Sequence, residues 1–97
     1  MRIISRKALV KFGKQYKDAV VPLDVWYRIA KKAQWKAPKD VKAQFGNASF
    51  LEASITVFNV GGNKYRLAVR VRYDLKRVYV MHVFTHAEYD EWNDSRR

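Results

Sequence analysis

Residues 59–73, NVGGNKYRLAVRVRY, alternate between two kinds of side chain once the two glycines are passed. The apolar side chains occupy one parity: Tyr65, Leu67, Val69, Val71 and Tyr73. The cations occupy the other parity, interrupted only by Ala68: Lys64, Arg66, Arg70 and Arg72. Because successive side chains of a β-strand point to opposite faces of a sheet, this pattern predicts a strand with one apolar and one cationic face.

The segments on either side of this strand also read as strands. ITVFNV, residues 55–60, is rich in β-branched and aromatic residues, and residues 61–63 tolerate the positive φ of a tight turn. A second turn at residues 74–76 leads into RVYVMHVF, residues 77–84. This last segment is apolar on both parities, which predicts a central strand covered on both faces.

The rest of the sequence predicts helices on both sides of this meander. Apolar residues recur at helical intervals of three and four between residues 8 and 16 and between residues 23 and 30. We expect a short strand in residues 1–4, followed by a helix near residues 5–17 with Ser5 as its N-cap. A second helix should start around Pro22 and end before Pro38, and a short third helix over residues 40–45 should be capped by Asp40. Residues 47–54 should form a loop, and HAEYDEW, residues 86–92, a short C-terminal helix.

Together these elements predict one α+β domain spanning residues 1–97. Strands joined by tight turns are antiparallel, and two to three helices that precede a meander pack on one of its faces. The apolar parity of the strand at residues 64–73 then meets the helices. Its cationic parity faces outward, on the open side of the sheet.

The charge of the chain is strongly basic and uneven. The formal net charge is +11, of which residues 1–48 carry +9 and residues 49–97 carry +2. Such a surplus attracts polyanions, so a nucleic acid is the expected partner, although an acidic protein is also compatible. The absence of cysteine excludes disulfides and thiolate metal sites. No apolar run approaches the roughly 18 residues of a membrane span and the start does not resemble a signal peptide, so we expect a cytoplasmic protein without membrane contact.

Three of the four cations on the striped strand are arginines. A guanidinium group grips a phosphate through two parallel hydrogen bonds, which an ammonium group cannot match. Four like charges on rigid backbone therefore favour a bound anion. A merely solvated basic face is the structural alternative, since salt screens exposed charges within about 10 Å.

The segment THAEYD, residues 85–90, offers groups that can move a proton directly after the last strand. His86 supplies an imidazole, the side-chain group that exchanges protons at physiological pH, and Tyr89 can donate a proton or stack on a base. The structural alternative is that Thr85 or His86 caps the helix and Tyr89 packs on the core. His82, among apolar neighbours, is expected to be a buried histidine with a satisfied hydrogen bond. No arrangement of His or carboxylates matches a zinc or magnesium motif, so no metal is expected.

The stretch FNVGGNKYRLAVRVRYDLKRVYVMHVFTHAEYDEW, residues 58–92, resembles the HigB toxins of bacterial toxin–antitoxin pairs, which belong to the RelE-like superfamily. FNVGGNKYRL and THAEYD are the specific pieces, and PKDVKAQF matches more loosely. The resemblance implies a RelE-like fold and an endoribonuclease without cofactor or metal that cuts messenger RNA, usually in the ribosomal A site. It also implies neutralisation by a HigA-type antitoxin with a helix-turn-helix domain, so that DNA is contacted only through the antitoxin.

The resemblance also implies roles for individual residues. Arg66 matches the superfamily's phosphate-stabilising arginine, His86 a basic or histidine residue that acts as general acid or base, and Tyr89 the C-terminal aromatic used for stacking or proton transfer. The expected additional RNA contacts are Asn63, Lys64, Arg70 and Arg72. The competing hypotheses are a non-catalytic RNA- or ribosome-binding module and a structural subunit whose charge serves an acidic partner.

Overall fold

The computed structural model describes residues 1–96. The elements in chain order are β1 (Arg2–Ile4), α1 (Arg6–Gln15), a 3-10 turn (Lys17–Ala19), α2 (Val20–Lys32), α3 (Pro38–Gln44), β2 (Ser49–Phe50), β3 (Ile55–Val60), β4 (Tyr65–Arg72), β5 (Arg77–Thr85) and α4 (His86–Ser95). The α+β class is confirmed, and so is the predicted order of elements except for strand β2, which was not predicted.

The sheet has five strands in the order β1-β5-β4-β3-β2. The β3–β4–β5 meander is antiparallel, as predicted, whereas β1 pairs in parallel with β5. The segment expected to be a loop, residues 47–54, contains β2, which pairs with the outer side of β3. This strand was missed because two residues are too short to show a period of two.

The apolar parity of β4 meets the helices, as the alternation predicts. Leu67, Val69 and Val71 are at most 2% exposed and belong to one core with residues of α1, α2 and α3. We call this side of the sheet the inner face and the opposite side the outer face.

Phe58 of β3 lies at the centre of the inner-face core and is fully buried. Its ring centroid lies 5.4 Å from that of Trp26, 6.3 Å from that of Trp35 and 5.0 Å from that of Phe45. Aromatic rings at these separations contribute packing energy beyond the area that they bury. The phenylalanine therefore joins β3 to α2, to the segment between α2 and α3, and to Phe45 directly after α3.

Residues close in sequence stabilise the first turns of α1 and α3. The backbone N–H of Lys7 donates to Ser5 Oγ at 3.1 Å, so Ser5 caps α1 as predicted. α3 starts at Pro38, two residues earlier than expected, because proline suits the first position of a helix. The expectation that Asp40 is the N-cap is therefore wrong, since Ala37 holds that position. Asp40 lies in the first turn, where its Oδ2 accepts from the backbone N–H of Ala37 at 3.3 Å and of Lys36 at 2.8 Å.

The outer face is partly covered, which corrects the expectation of an open sheet. Tyr89 and Trp92 of α4 pack against Ile55, Val57 and Ala68 on this face. α4 reaches the face because β5 leads directly into it at residues 85–86. Among residues 1–96, no helix has the length and apolar composition needed to cross a membrane.

Tyr65, the first residue of β4, ties the sheet to the helices. Its ring packs against those of Phe12 and Tyr16, with centroids 5.4 Å and 5.7 Å away. Its hydroxyl donates to Oδ1 of Asp18 in the 3-10 turn. This hydrogen bond raises the pKa of Tyr65 to about 12 and, with the bond from Lys64, lowers the pKa of Asp18.

The Phe58→Ala variant should lose about 3–5 kcal/mol of the free energy of unfolding, because it removes a buried ring from between three others. Phe50→Ala is the matched control, since Phe50 is 41% exposed on the edge strand β2 and should cost about 0.5 kcal/mol. Urea denaturation of both variants measures the difference. Equal losses would show that Phe58 does not organise the core.

The Tyr65–Asp18 hydrogen bond should make stability fall at high pH. Because the folded state binds the Tyr65 proton more tightly than the unfolded chain, the stabilisation is complete below pH 10 and is lost as the pH rises towards about 12. Tyr65→Phe keeps the ring and should abolish this part of the pH dependence. Tyr27→Phe, outside this hydrogen bond, should keep it. Urea midpoints across this range test the prediction, which fails if Tyr65→Phe and the parent chain show the same slope.

Candidate active site on the outer face of the sheet

The outer face of β4 carries three arginines rather than four cations. Arg66, Arg70 and Arg72 occupy the predicted parity. Lys64 lies in the turn before the strand, and its Nζ is 2.9 Å from Asp18 Oδ2 at the helical layer. The expectation that Lys64 shares the cationic face is wrong, because the chain is not yet extended at this residue and a carboxylate lies within its reach.

The turn that precedes β4 contains the glycines that the sequence analysis identified. Gly61 and Gly62 have φ angles of 64° and 68°, a conformation that side chains with a Cβ rarely adopt. Asn63 follows with its Oδ1 3.4 Å from Asn59 Nδ2, which donates to it. The turn thus places the backbone carbonyl of Asn63 beside the first arginine of the strand.

Arg66 is packed into the outer face rather than displayed on it. The residue is 9% exposed, and its Nη1 donates to the backbone carbonyls of Asn63 at 3.0 Å and Tyr65 at 3.1 Å. Its guanidinium carbon lies 6.0 Å from the centre of the Tyr89 ring. The expectation that Arg66 lies on an open side of the sheet is wrong, because α4 covers this end of it.

The hydrogen bonds of Arg66 leave part of its guanidinium group for a ligand. Both bonds use Nη1, and no acceptor within residues 1–96 bonds Nε or Nη2. Among the described side chains, the only buried polar atom without a partner is the indole nitrogen of Trp26, so Nε and Nη2 keep access to solvent. A guanidinium group fixed by two carbonyls, with free N–H groups at the surface, is suited to bind a phosphate.

His86 lies at the same end of the sheet as Arg66. A capping box starts α4: the N–H of Glu88 donates to Thr85 Oγ1 at 3.2 Å, and the N–H of Thr85 donates to Glu88 Oε1 at 2.8 Å. Thr85 is therefore the helix cap, as the structural alternative predicted. The backbone N–H of His86 donates to the carbonyl of Lys64 at 3.0 Å, which joins the helix start to the start of β4.

The imidazole of His86 is exposed and has a carboxylate beside it. The side chain is 53% exposed, and its Nδ1 lies 3.2 Å from Asp90 Oδ2, one helical turn along. A carboxylate at Nδ1 orients the imidazole ring and leaves Nε2 available to a ligand. Tyr89 is three residues after His86 and so lies on a neighbouring part of the same helix.

An aromatic cluster surrounds Tyr89, and sequence reasoning missed most of it. We define the outer aromatic cluster as His82, Phe84, Tyr89 and Trp92. Trp92 is central, with its ring centroid 5.7 Å from His82, 5.3 Å from Phe84 and 6.0 Å from Tyr89. The i, i+3 spacing of Tyr89 and Trp92 was the available signal, since residues three apart share a helix face. Tyr89 therefore packs, as the structural alternative predicted, and also lies beside Arg66.

His82 is exposed, although the sequence analysis expected it to be buried. Ala68 of β4 pairs with His82 of β5, but the next residue, Val69, pairs with Val80. Met81 therefore has no partner in β4 and forms a bulge in β5. One extra residue reverses the parity of everything beyond it. His82 and Phe84 therefore face outward with Arg66, and β5, though interior in the sheet, is incompletely covered on this side.

The other expected RNA contacts are already engaged within the protein. Arg70 is exposed, and its Nε donates to the carbonyl of Ala53 at 3.0 Å. Arg72 forms a bidentate pair with Asp74, with Nε and Nη2 at 3.1 Å and 2.9 Å from the two carboxylate oxygens. Each arginine retains other N–H groups, so both can still bind an anion.

Arg66, the outer aromatic cluster and His86 lie at the same end of the β4–β5 pair and offer three chemical capacities. These are a fixed guanidinium group for a phosphate, an aromatic surface for a base, and an exposed imidazole for proton exchange. Within residues 1–96, no three His, Asp or Glu side chains are grouped so that they could hold a metal ion.

Comparison with known proteins identifies the family. The sequence model described as "HigB_toxin, RelE-like toxic component of a toxin-antitoxin system" matches residues 19–92. The "mRNA interferase toxin HigB" of Escherichia coli strain K12 is 33% identical over 93 residues, which cover 93% of this chain and 88% of the relative. The "mRNA interferase HigB" of Escherichia coli O6:H1 is 29% identical over 93 residues, 94% of this chain and 90% of the relative, and that of Shigella flexneri is 33% identical over 93 residues. With more than half of its length matched by the family model, this chain belongs to the HigB family of RelE-like toxins.

Proposed function

We propose that this chain is the toxin of a type II toxin–antitoxin pair and acts as a ribosome-dependent, metal-independent endoribonuclease on translated messenger RNA. The observation that carries the proposal is Arg66, fixed by two backbone carbonyls with N–H groups left free beside Tyr89 and near the start of α4. The names of the relatives support it, since several are described as mRNA interferases.

The reaction that suits this site needs no group beyond the RNA and the protein. The 2′-oxygen of one nucleotide attacks the adjacent phosphorus, the bond from phosphorus to the 5′-oxygen breaks, and a 2′,3′-cyclic phosphate forms. One proton leaves the attacking hydroxyl and one is added to the departing 5′-oxygen. A titratable side chain that serves either proton transfer raises the reaction rate, by about 10²- to 10⁴-fold in typical enzymes.

His86 is the proposed proton-transfer residue. Its imidazole is exposed at the end of β5, and the contact between Nδ1 and Asp90 Oδ2 leaves Nε2 available to the substrate. An imidazole can act as a general acid or as a general base. We assign it to one of the two proton transfers without dividing the roles of acid and base.

Arg66 is the proposed electrostatic stabiliser of the reacting phosphate. Negative charge accumulates on the non-bridging oxygens as the phosphorane forms, and Nε and Nη2 can donate to them. Because the group is already fixed, little reorganisation is needed when this charge develops. Its low exposure strengthens the interaction, since fewer waters screen it.

The aromatic cluster and the remaining polar groups position the RNA. Tyr89 offers a ring on which a base can stack. Arg70 and Arg72 extend the phosphate contacts along β4, and Asn63 lies at the entrance to the strand. Lys64 can contribute only if RNA competes with Asp18 for its ammonium group.

The proposed partners follow from the charge and the family. The antitoxin is a HigA-type protein with a helix-turn-helix domain, through which DNA is contacted indirectly. It should neutralise the toxin by lowering the net charge of the complex or by covering the outer face. Translated messenger RNA places the proposed reaction in the cytoplasm. The alternative function, a non-catalytic RNA- or ribosome-binding module, uses the same arginines but leaves messages intact.

Arg66→Lys should reduce message cleavage by about 10²- to 10³-fold, because lysine keeps the charge but loses the planar donors that face the phosphate. Lysine is preferable to alanine here, since alanine would also remove the packing of Arg66 against Tyr89. Arg28→Lys is the matched control, as Arg28 is exposed on α2 and pairs with Asp24 at 2.9 Å. The measurement is growth after induction of each chain alone in bacteria, followed by mapping of the 5′ ends of broken messages.

Full toxicity of Arg66→Lys, with thermal stability equal to that of Arg28→Lys, would remove Arg66 from the site. Growth inhibition by the parent chain without new 5′ ends would favour the non-catalytic binding module.

A single 2′-deoxynucleotide at the mapped cleavage position should abolish cutting of a translated message, because it removes the attacking oxygen. Phenanthroline, which binds transition metals but leaves the ribosomal Mg²⁺ in place, should have no effect. Mass spectrometry of the products should find a 2′,3′-cyclic phosphate. Continued cutting of the deoxy substrate, or inhibition by phenanthroline, would instead indicate attack by a metal-bound water.

A further inference from the structure

Three arginines lie side by side across three neighbouring strands of the outer face. The register pairs Arg2 of β1 with Arg77 of β5, and Arg77 with Arg72 of β4. Residues that pair directly in a sheet point to the same face. The adjoining residues Ile3, Val78 and Val71 belong to or pack against the inner-face core, which places the three arginines on the outer face. We call them the arginine row.

The arginine row is poorly neutralised by the protein itself. Within residues 1–96, Arg72 is the only member with a carboxylate partner, Asp74 at 2.9 Å. Arg77 Nη1 donates to the hydroxyl of Tyr79 at 3.4 Å, a neutral acceptor on the same face. Like charges directly opposite on adjacent strands destabilise a sheet. The three guanidinium groups of the row therefore repel one another, and a bound anion would relieve this repulsion.

The position of the row separates it from the candidate active site. Six residues along β4 separate Arg72 from Arg66, which corresponds to about 20 Å of extended strand. Arg70, exposed between them, pairs with Tyr79 in the adjacent register. A polyanion that follows the outer face can thus touch Arg66 at one end and the arginine row at the other, with Arg70 between.

We propose that the arginine row is a second phosphate-binding site, which holds the sugar–phosphate backbone of RNA away from the bond that is cut. RNA as the source of these phosphates rests on the proposed function. Guanidinium groups held by paired strands suit a charged backbone better than a single small anion, because they form a line rather than a pocket. The row reads no sequence, since phosphate contacts position a nucleic acid without distinguishing its bases.

The double variant Arg2→Gln/Arg77→Gln tests the row and leaves Arg66 and His86 unchanged. The matched control is Lys7→Gln/Lys11→Gln, which removes two charges from exposed positions of α1, on the helical side. The probe is a fluorescein-labelled single-stranded RNA with 2′-O-methyl groups, which keeps every phosphate but cannot be cut. Fluorescence anisotropy gives the dissociation constant at several salt concentrations, and a second arm repeats the titration with purified small ribosomal subunits.

The row variant should bind more weakly than the control, and its slope of log affinity against log salt should be shallower by about 1.4, or about 0.7 for each lost contact with a single strand. If the row variant binds more weakly than the control only in the titration with ribosomal subunits, the row binds phosphates of ribosomal RNA. Equal affinities and slopes for the row variant and the control in both arms would overturn the proposal. A parent chain that binds RNA through the row but cuts no message would refute the proposed function and leave this inference standing.

Discussion

The burial of one parity of β4 against the helices is the constraint on which the rest of the molecule depends. Leu67, Val69 and Val71 are almost fully enclosed, so a slip of one residue would place arginines in the core and valines in water. The register is therefore fixed by hydrophobic burial on the inner face. The register of β4 also determines the geometry of the outer face, since Arg66, Arg70 and Arg72 have definite positions because their neighbours in the strand are fixed.

The meander was predictable because a period of two is visible over eight residues, and the helices because their starts carry local signals such as Ser5. β2 and the parallel pairing of β1 were not predictable, since two- and three-residue strands show no periodicity and pairing partners lie far away in the sequence. The cover that α4 places over the outer face was also missed. It depends on where a short helix of low amphipathicity docks, which is a tertiary property.

Sequence reasoning proposed Arg66, His86 and Tyr89 as site residues, and the structure locates all three around one end of the β4–β5 pair. It failed where tertiary context decided the outcome. Lys64 has the right parity but pairs with Asp18, 46 residues away. His82 was misplaced because the bulge at Met81 cannot be read from composition, yet the bulge is what turns Phe84 outward opposite Arg66. The outer aromatic cluster therefore exists because of an irregularity rather than a pattern.

The uneven burial of the arginines suggests a division of labour on a rigid surface. Arg66 is largely shielded from water and is fixed by two backbone carbonyls. Burying its charge costs free energy, but the guanidinium group needs little reorganisation when negative charge develops on a bound phosphate. Arg2 and Arg72 at the far end of the sheet are exposed and Arg77 is half-buried, so ion interactions there are weaker, salt-dependent and independent of base sequence. The proposed site needs both properties: strong stabilisation at the phosphate that reacts and a weaker hold on the phosphates around it. Separating them by the length of β4 lets each be set by its own environment, although both depend on the same buried valines beneath.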